Sequence, residues 1–310
     1  MLLIVCPNLA VDRILEVPNF RAAAVQRSTP AIVQPGGKGS NVARVFRQLG
    51  GEVALAGFAG RRNSHHITEP LRNLGIHVDV VEAFDESRTC TIILDLASNR
   101  HPTVINEESP LLESNAAERL LRIVDEWLPR VTAVLVDGSL SQGLDDDFYR
   151  YILERARSSG KFTALDAAGA ALAEGIRARP DFLKINAQEF GDLVGVSQPN
   201  TQNMLEYLSD ARDRLAHHTA ITFGEAGAIL SAGGGFWQAA PPEIFSANPI
   251  GAGDAFAAGY LYEFMKSGDM ERSFRLALAA AASDASTVRP GHIIPDDVKS
   301  LAASIDVDQL

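Results

Sequence analysis

From Ser114 onward the chain alternates between segments with a helical pattern and short apolar segments, and this alternation constrains the fold more than any other feature. One example is the apolar run 133–136, which lies between the amphipathic segments 114–127 and 146–158. Strands that alternate with helices form a mainly parallel sheet covered by helices on both faces. In such sheets the ligand site lies at the carboxyl ends of the strands. The sequence therefore predicts an α/β fold with one crevice at that edge.

The amino-terminal half adds a different strand pattern after the buried first strand, Leu2–Cys6. In four short segments, polar and apolar residues alternate weakly, which is typical of half-exposed strands. The last two segments look like a hairpin with its turn at 98–100. We expect these strands to form a small separate sheet; the segments are 13–17, 27–33, 88–96 and 102–106.

Length, charge and cysteine content limit the classes of function that this chain can have. The 310 residues suffice for one large α/β domain or two small ones. A formal net charge of −11 argues against nucleic acid or an anionic membrane as the main partner. Two cysteines, Cys6 and Cys90, do not make a disulfide framework, so we expect a reduced, cytoplasmic setting. No apolar run reaches the length of a membrane span, and the run at 1–6 is far too short for a signal segment.

The stretch Asn248–Asp254 combines a glycine turn with the start of an alanine-rich helix. A helix start leaves backbone N–H groups without acceptors and carries a partial positive charge. Gly251 and Gly253 allow a ligand to approach that backbone closely, so the stretch predicts an anion hole that suits phosphate. A carboxylate at Asp254 is explained if it acts as a general base on a hydroxyl that attacks the phosphate. The alternative is that Asp254 only favours the helix start.

A second glycine turn, residues 35–41, opens a predicted helix at 42–49. It lacks the spacing of a Walker A loop, because Ile32 stands where that pattern needs glycine. The turn places Lys38 and Asn41 at a helix N-terminus, which suits a polyhydroxyl or phosphorylated ligand. The alternative is a plain turn.

Asn186 and Glu189 lie three residues apart and hence on one face of a short helix. An amide and a carboxylate there could hold a hydrated Mg²⁺, which keeps several waters and takes few protein ligands. The alternative is a helix cap that pairs the two side chains, and both can hold at once.

Two further features are weaker when taken alone. The turn that contains Thr222, Gly224 and Gly227 could present N–H groups to a polyphosphate, or it is a plain hairpin. Arg27 and Arg88 would lie on the small sheet, where arginine can hold a phosphate bidentately, or they are solvated surface residues.

Taken together, these motifs resemble the PfkB (ribokinase-like) carbohydrate kinases over nearly the whole chain, and in the same order. The N-terminal signature resembles Gly36-Gly37-Lys38-Gly39-x-Asn41-Val42-Ala43-Arg44, and the C-terminal one resembles Gly251-Ala252-Gly253-Asp254. Asn186-x-x-Glu189 matches the N-x-x-E element of the family, and Thr222-x-Gly224-x-x-Gly227 matches its nucleotide turn.

Within the family, the sequence is most similar to the hexose-phosphate branch, which includes 1-phosphofructokinase, tagatose-6-phosphate kinase and the minor 6-phosphofructokinase. The resemblance lies in Asn8-x-Ala10-x-Asp12-Arg13, in the segment 103–107 and in the tail Arg289-Pro290-Gly291-His292. Two places depart from the pattern. Asp137-Gly138-Ser139-Leu140-Ser141 stands where the family usually has S-G-S-L-P, and Glu108-Ser109-Pro110 lacks the usual glycine before proline.

The resemblance implies a role for each matching position. Asp254 resembles the base, with Gly251, Ala252 and Gly253 forming the anion hole for the γ-phosphoryl group. The candidates for the sugar hydroxyls are Asp12, Gly37 and Asn41. The candidates for the phosphate of the substrate are Arg27, Lys38, Arg88 and Ser139. The ATP–Mg²⁺ side is assigned to Lys184, Asn186, Thr222, Gly224 and Gly227, with the metal itself at Asn186 and Glu189, through water.

The resemblance also implies an architecture: a single ribokinase-like domain over 1–310, with three α/β/α layers and a small β-sheet lid from 11–35 and 86–106. Closure of the lid would exclude water, which competes with the sugar as acceptor. Lids of this kind often pair across a dimer, so a homodimer through the lid is one expected arrangement. The leading hypothesis is an ATP-dependent kinase of a ketohexose phosphate. Two alternatives stay open: a kinase of an unphosphorylated sugar or nucleoside, and a non-catalytic sensor of sugar phosphates.

Overall fold

The computed structural model describes residues 1–95 and 101–310, with the backbone alone for residues 212–214. The turn predicted at 98–100 lies outside the described residues.

The centre of the molecule is a ten-stranded sheet with the order β14-β13-β12-β11-β10-β9-β8-β1-β4-β5. The strands from β11 to β5 run parallel, and β12, β13 and β14 are antiparallel to their neighbours. The bounds are β1 Leu2–Cys6, β4 Val53–Gly60, β5 His77–Phe84, β8 Ala133–Asp137, β9 Phe162–Asp166, β10 Phe182–Asn186, β11 His218–Thr222, β12 Ala228–Ala232, β13 Gly235–Ala239 and β14 Asp308–Gln309.

Helices cover both faces of this sheet, and each face has its own apolar core. On one face the core contains side chains of α1 Lys38–Gln48, α2 His65–Asn73, α8 Ala252–Ser267, α9 Met270–Ala285 and α10 Pro295–Ser304. On the other it contains side chains of α3 Ala116–Trp127, α4 Phe148–Ser158, α5 Gly169–Gly175, α6 Ala187–Val194 and α7 Thr201–Leu215. These three layers confirm the predicted α/β/α fold with a mainly parallel sheet.

The separate sheet of four strands is also present, in the order β3-β2-β6-β7. Its strands are β2 Ala10–Glu16, β3 Ile32–Gly36, β6 Thr89–Leu94 and β7 Thr103–Asn106. The buried side chains of Ile14 and Ile92 pack with Ile250 and Val288, so the inner face of this sheet lies against the loop that leads into α8. We call it the lid sheet. Its opposite face is exposed.

Two local predictions were wrong. The strand predicted at 27–33 is present only from Ile32, where the chain begins to pair with β2; Pro30 has no N–H to donate to a ladder. The predicted turn at 35–41 ends earlier, because the N-cap is Gly37 with φ 87° and the helix begins at Lys38. Lys38 and Asn41 therefore lie in the first helical turns and not in a loop.

Among the described residues, no helix is both long enough and apolar enough to cross a membrane.

Candidate active site

The N-terminus of α8 faces the carboxyl edge of the parallel strands. The N-cap, Gly251, has φ 97°, a conformation that favours glycine. A Cβ on Gly251 would lie 2.8 Å from Oδ2 of Asp284, and a Cβ on Gly253 would lie 2.9 Å from Nζ of Lys184. Gly251 is therefore restricted by its backbone conformation as well as by its neighbours, whereas the close atom at Gly253 is the end of a lysine side chain. Of the predicted anion-hole groups, the N–H of Ala252 donates to the Pro249 carbonyl at 3.3 Å.

Asp254 lies in the first turn of α8, and only 6% of its surface is exposed. Its Oδ2 accepts a hydrogen bond of 2.8 Å from Nδ2 of Asn41 on α1. Burial raises the pKa of the Asp254 carboxyl above its ordinary value, and the charge of Asp166 adds to the rise. Lys38, Lys184 and the Asn41 hydrogen bond oppose it. The net effect is a raised pKa, so the Asp254 carboxyl binds a proton more readily than a solvated aspartate does.

Two lysines meet on one carboxylate, Asp166, at the end of β9. Lys38 Nζ lies 2.5 Å from Oδ1 of Asp166, and Lys184 Nζ lies 2.9 Å from Oδ2. Burial alone would raise the pKa of Asp166, but the two ammonium groups outweigh it and hold that pKa below its ordinary value. Asp166 thus fixes both cations close to Asp254. Asp166 was not among the predicted site residues; a carboxylate at the carboxyl end of a central parallel strand was the signal available.

Asp137 ends β8 directly beside Asp166 in the parallel register. It is fully buried, and neither of its side-chain oxygens has a hydrogen-bond partner among the described residues. Burial, with the charges of Asp166 and Asp254, raises the pKa of this carboxyl well above its ordinary value. Burial and the two neighbouring carboxylates thus favour the neutral form of Asp137, which stands at the position where the family usually has serine.

A cavity of about 360 Å³ opens beside these groups. Its lining includes Asn8, Lys38, Arg88, Ser139 and Glu189. Arg88 donates to the Asn8 carbonyl at 3.2 Å, and Asn8 Nδ2 donates to Ser139 Oγ at 2.9 Å. Buried Nε of Arg88 has no partner in the described part of the chain.

The structure does not bring every predicted residue to this cavity. Arg27 is exposed and does not line it. Asp12, on β2, is buried and points toward the backbone of Gly36, where a Cβ would lie 2.0 Å from its Oδ1. Burial raises the pKa of Asp12 to about 6, against the opposing charges of Arg44 and Arg88. Gly37, with φ 87°, lies against the carbonyl of Asn8, at the edge of the same region.

Asn186 and Glu189 form a complete capping box at the start of α6. Asn186 Oδ1 accepts from the Glu189 N–H at 2.8 Å, and Glu189 Oε2 accepts from the Asn186 N–H at 2.8 Å. The cap that we considered as an alternative to the metal role is therefore present. The second oxygen, Glu189 Oε1, lies 3.9 Å from Nζ of Lys38 and faces the cavity region. No group of three or more His, Cys, Asp or Glu in the described chain could hold a metal ion by itself.

Thr222, at the end of β11, stands beside Asn186 in the register. The turn that follows contains Gly224, with φ 61° and open space around its Cα, and Gly227, with φ 97°. A Cβ on Gly227 would lie 2.1 Å from the Ala239 carbonyl oxygen, so this glycine is needed for packing of the turn. Only Gly224 leaves the space that a ligand would use.

The fold and the site define an enzyme that transfers a phosphoryl group to a sugar. The model of the pfkB family of carbohydrate kinases matches residues 1–296, and the chain belongs to this family. A 1-phosphofructokinase of Rhodobacter capsulatus is 30% identical over 309 residues, covering 98% of this chain and 96% of the relative. The predicted resemblance to the PfkB family and its hexose-phosphate branch is confirmed. Membership also implies that ATP is the phosphoryl donor.

Solved structures show the same fold. Phosphofructokinase-2 of Escherichia coli, in complex with substrates and products, superposes with a TM-score of 0.88 at 21% identity, covering 97% of this chain and 98% of that chain. Ribokinase of Arabidopsis thaliana, complexed with ribose and ATP, superposes with a TM-score of 0.74 at 17% identity, covering 97% of this chain and 98% of that one. The ribokinase-like architecture is thereby confirmed.

Proposed function

We propose that the protein transfers the γ-phosphoryl group of ATP to a hydroxyl of a ketohexose phosphate and so forms a bisphosphate. One observation carries the proposal: Asp254 is buried at the N-terminus of α8 near Lys38 and Lys184, and Lys38 also lines the neighbouring cavity together with Arg88. A carboxyl, a helix N-terminus and nearby cations are what a phosphoryl transfer to an alcohol requires.

In the proposed reaction Asp254 accepts the proton of the attacking hydroxyl. Burial raises its pKa toward the working pH, and a general base is most efficient when its pKa lies there. The hydroxyl oxygen then attacks the γ-phosphorus, and the bond to the β–γ bridging oxygen breaks, leaving ADP. The free N–H groups of the first turn of α8 stabilise the charge on the transferring group. Gly251 supports this role because its positive φ, which favours glycine, shapes the turn at the start of the helix.

We assign the phosphate of the substrate to the cavity that contains Arg88, Ser139 and Lys38. Buried Nε of Arg88 is an available donor, and Ser139 is exposed to the cavity. Arginine binds phosphate bidentately, which a neutral sugar would not need. Arg27 is assigned to the same phosphate from the sequence alone. Asp12, Asn41 and the Gly37 backbone are assigned to the sugar hydroxyls.

Mg²⁺ is proposed to accompany ATP near Asn186 and Glu189. The donor set fits an ion that keeps most of its waters: Glu189 Oε1 is outside the capping box, and Glu189 borders the cavity. When bound, the ion would neutralise charge on the ATP phosphates. Lys184, Thr222 and Gly224 are proposed to bind the same phosphates, and Gly227 to shape the turn.

A comparison of acceptors tests the proposal. The purified enzyme is assayed with ATP and, in turn, fructose 1-phosphate, fructose 6-phosphate, tagatose 6-phosphate, ribose and adenosine. We expect kcat/KM for one of the three hexose phosphates to exceed that for ribose and adenosine by at least about 100-fold, because an acceptor without a phosphate would leave Arg88 without its partner. A preference for ribose or adenosine would refute the proposal. Binding of a hexose phosphate without turnover would indicate a sensor.

A further inference from the structure

Arg44 lies on α1, one turn after Asn41, and its guanidinium is buried, with 7% of the residue exposed. It donates to the Pro35 carbonyl at 2.7 Å, to the Pro290 carbonyl at 2.8 Å and to Oδ1 of Asn41 at 2.5 Å. Two of these acceptors are backbone atoms on different elements, the lid sheet and the loop after α9. The guanidinium is therefore held in one place by the fold.

The third contact fixes the orientation of a side-chain amide. The Asn41 amide has an acceptor end and a donor end of similar shape, and its neighbours decide which end points where. Its Oδ1 accepts from Arg44, and its Nδ2 donates to Asp254 Oδ2 at 2.8 Å. A guanidinium can only donate, so it accepts no bond from the NH₂ end. The reversed amide would point its NH₂ group at the Arg44 guanidinium and its carbonyl oxygen at the Asp254 carboxylate, so both hydrogen bonds would be lost.

We infer that Arg44 is a positioning residue for the phosphoryl transfer, which fixes the Asn41 amide so that its NH₂ group holds Asp254 in place. Arg44 acts through Asn41 and is assigned no contact with substrate. The inference rests on the proposed role of Asp254 as base. It also changes the interpretation of Asn41, since Oδ1 already accepts from Arg44 and one N–H of Nδ2 already donates to Asp254, which leaves the second N–H of Nδ2 as the donor for a sugar hydroxyl.

Several charged groups from other elements also act on Asp254, so loss of a positive charge alone could alter its behaviour. These groups are Asp12 on β2, Lys38 on α1, Asp137 on β8, Asp166 on β9, Lys184 on β10 and Asp284 on α9. Arg44 itself interacts electrostatically with Asp254. The test must therefore separate a contact made through Asn41 from a direct effect of charge.

A double-mutant cycle makes that separation. The kcat values of the wild type, Arg44→Met, Asn41→Ala and the double variant are compared at saturating substrate. Arg44→Met should lower kcat about tenfold, equivalent to about 1.4 kcal/mol, with KM for ATP within about twofold. If Arg44 acts through Asn41, adding Arg44→Met to Asn41→Ala should cause almost no further loss. If the fall in kcat of the double variant equals the product of the falls in the two single variants, the inference is overturned.

Arg47→Met is the matched control, because Arg47 lies on the same helix and its guanidinium is exposed and donates to Leu74 instead. It should leave kcat unchanged. Arg44→Lys, which keeps the charge and one donor group, should recover part of the activity. If Arg44→Met does not fold, Arg44→Lys takes its place in the cycle. A lowered melting temperature with wild-type kcat in both Arg44 variants would show a purely structural role and would also overturn the inference.

A measurement without substrate keeps this inference distinct from the proposed function. The Asp254 carboxyl can be titrated by ¹³C NMR in the wild type and in Arg44→Lys, with the resonance assigned from Asp254→Asn. Because the Asn41 hydrogen bond lowers the pKa of Asp254, its weakening should raise that pKa. If the pKa of Asp254 is the same in both proteins, the inference about Arg44 is contradicted, whatever the substrate assays give. If the wild type shows no turnover, only the proposed kinase function is contradicted.

Discussion

At the scale of single residues, three buried carboxyls at the edge of the sheet have different environments and hence different states. Asp166 lies between two lysines that hold its pKa low, whereas Asp137, next to it, has no hydrogen-bond partner among the described residues and a raised pKa. Asp254 lies between these extremes, with burial raising its pKa and cations and an amide opposing the rise. The same residue type thus serves as a counter-ion to two lysines, as a buried carboxyl without a partner in the described chain, and as a candidate base.

Asp137 leads to a prediction about stability and pH. Its folded pKa lies well above the ordinary 3.8, so its contribution to stability is present at acid pH and is lost as pH rises from there. Asp137→Asn should therefore raise the free energy of unfolding at about pH 8 by more than ~1 kcal/mol, since one pKa unit is worth about 1.4 kcal/mol. Near the ordinary pKa the gain should be much smaller.

Urea unfolding of the wild type and of Asp137→Asn at both pH values measures this difference. Asp306→Asn is the control, because Asp306 is exposed, and it should change nothing at either pH. A gain for Asp137→Asn that is equal at both pH values would show that ionisation of this group is not the cause.

Arg88 leads to a prediction about the substrate. Arg88→Ala should raise KM for the phosphosugar about tenfold or more, because a charge-assisted bond to phosphate is lost, with KM for ATP nearly unchanged. Steady-state kinetics with each substrate varied in turn measure the two constants. Arg61→Ala, which removes an exposed arginine outside the cavity, is the control. Equal increases in both constants for Arg88→Ala would argue against a phosphate contact.

At the scale of elements, helix α1 unites the site. Because the helix begins at Lys38, the side chains of Lys38, Asn41 and Arg44, three residues apart, lie on one face. They contact Asp166, Asp254 and Pro290 respectively. The glycine signature and the strand–helix alternation were enough to predict the helix and the crevice. The contacts were not predictable, because the meeting of Lys38 with Lys184 on Asp166 depends on the sheet register. The short helix α5, which has glycine at both ends, was not predicted because its sequence lacks a periodic pattern of apolar residues.

The capping box of α6 allows the cap and the metal role to be separated. Glu189→Gln keeps an oxygen that can accept from the Asn186 N–H, so stability should change by less than about 0.5 kcal/mol. The loss of charge at Oε1 should raise the Mg²⁺ concentration needed for half-maximal rate. Asn186→Ala should instead cost about 1 kcal/mol of stability, the usual cost of a lost N-cap. An unchanged Mg²⁺ requirement in Glu189→Gln would exclude the metal role.

At the scale of the whole molecule, the lid sheet packs its inner face against Ile250, directly before the anion-hole glycines. Its outer face aligns Val33, Arg13, Thr91 and Ile105 in one row across the four strands. Val33 is 49% exposed and Ile105 is 58% exposed. Apolar residues exposed on a sheet face are consistent with the proposed pairing of two lids in a homodimer.

Light scattering coupled to gel filtration tests the homodimer. The wild type should elute with twice the mass of one chain, and Ile105→Lys, which places a charge in the proposed interface, should shift it toward the monomer. Val196→Lys, at an exposed apolar residue away from the lid, should leave the mass unchanged. A monomeric wild type, or a dimer that tolerates Ile105→Lys, would contradict pairing through the lid.

The most direct measurement is the turnover of Asp254→Asn with ATP and the preferred hexose phosphate. The amide has nearly the same shape, and its oxygen can still accept from Asn41, but it cannot take a proton from a hydroxyl. We expect kcat to fall by about 100-fold or more, with both KM values close to those of the wild type. Turnover within a few-fold of the wild type would contradict the role of Asp254 as the base, and with it the proposed mechanism.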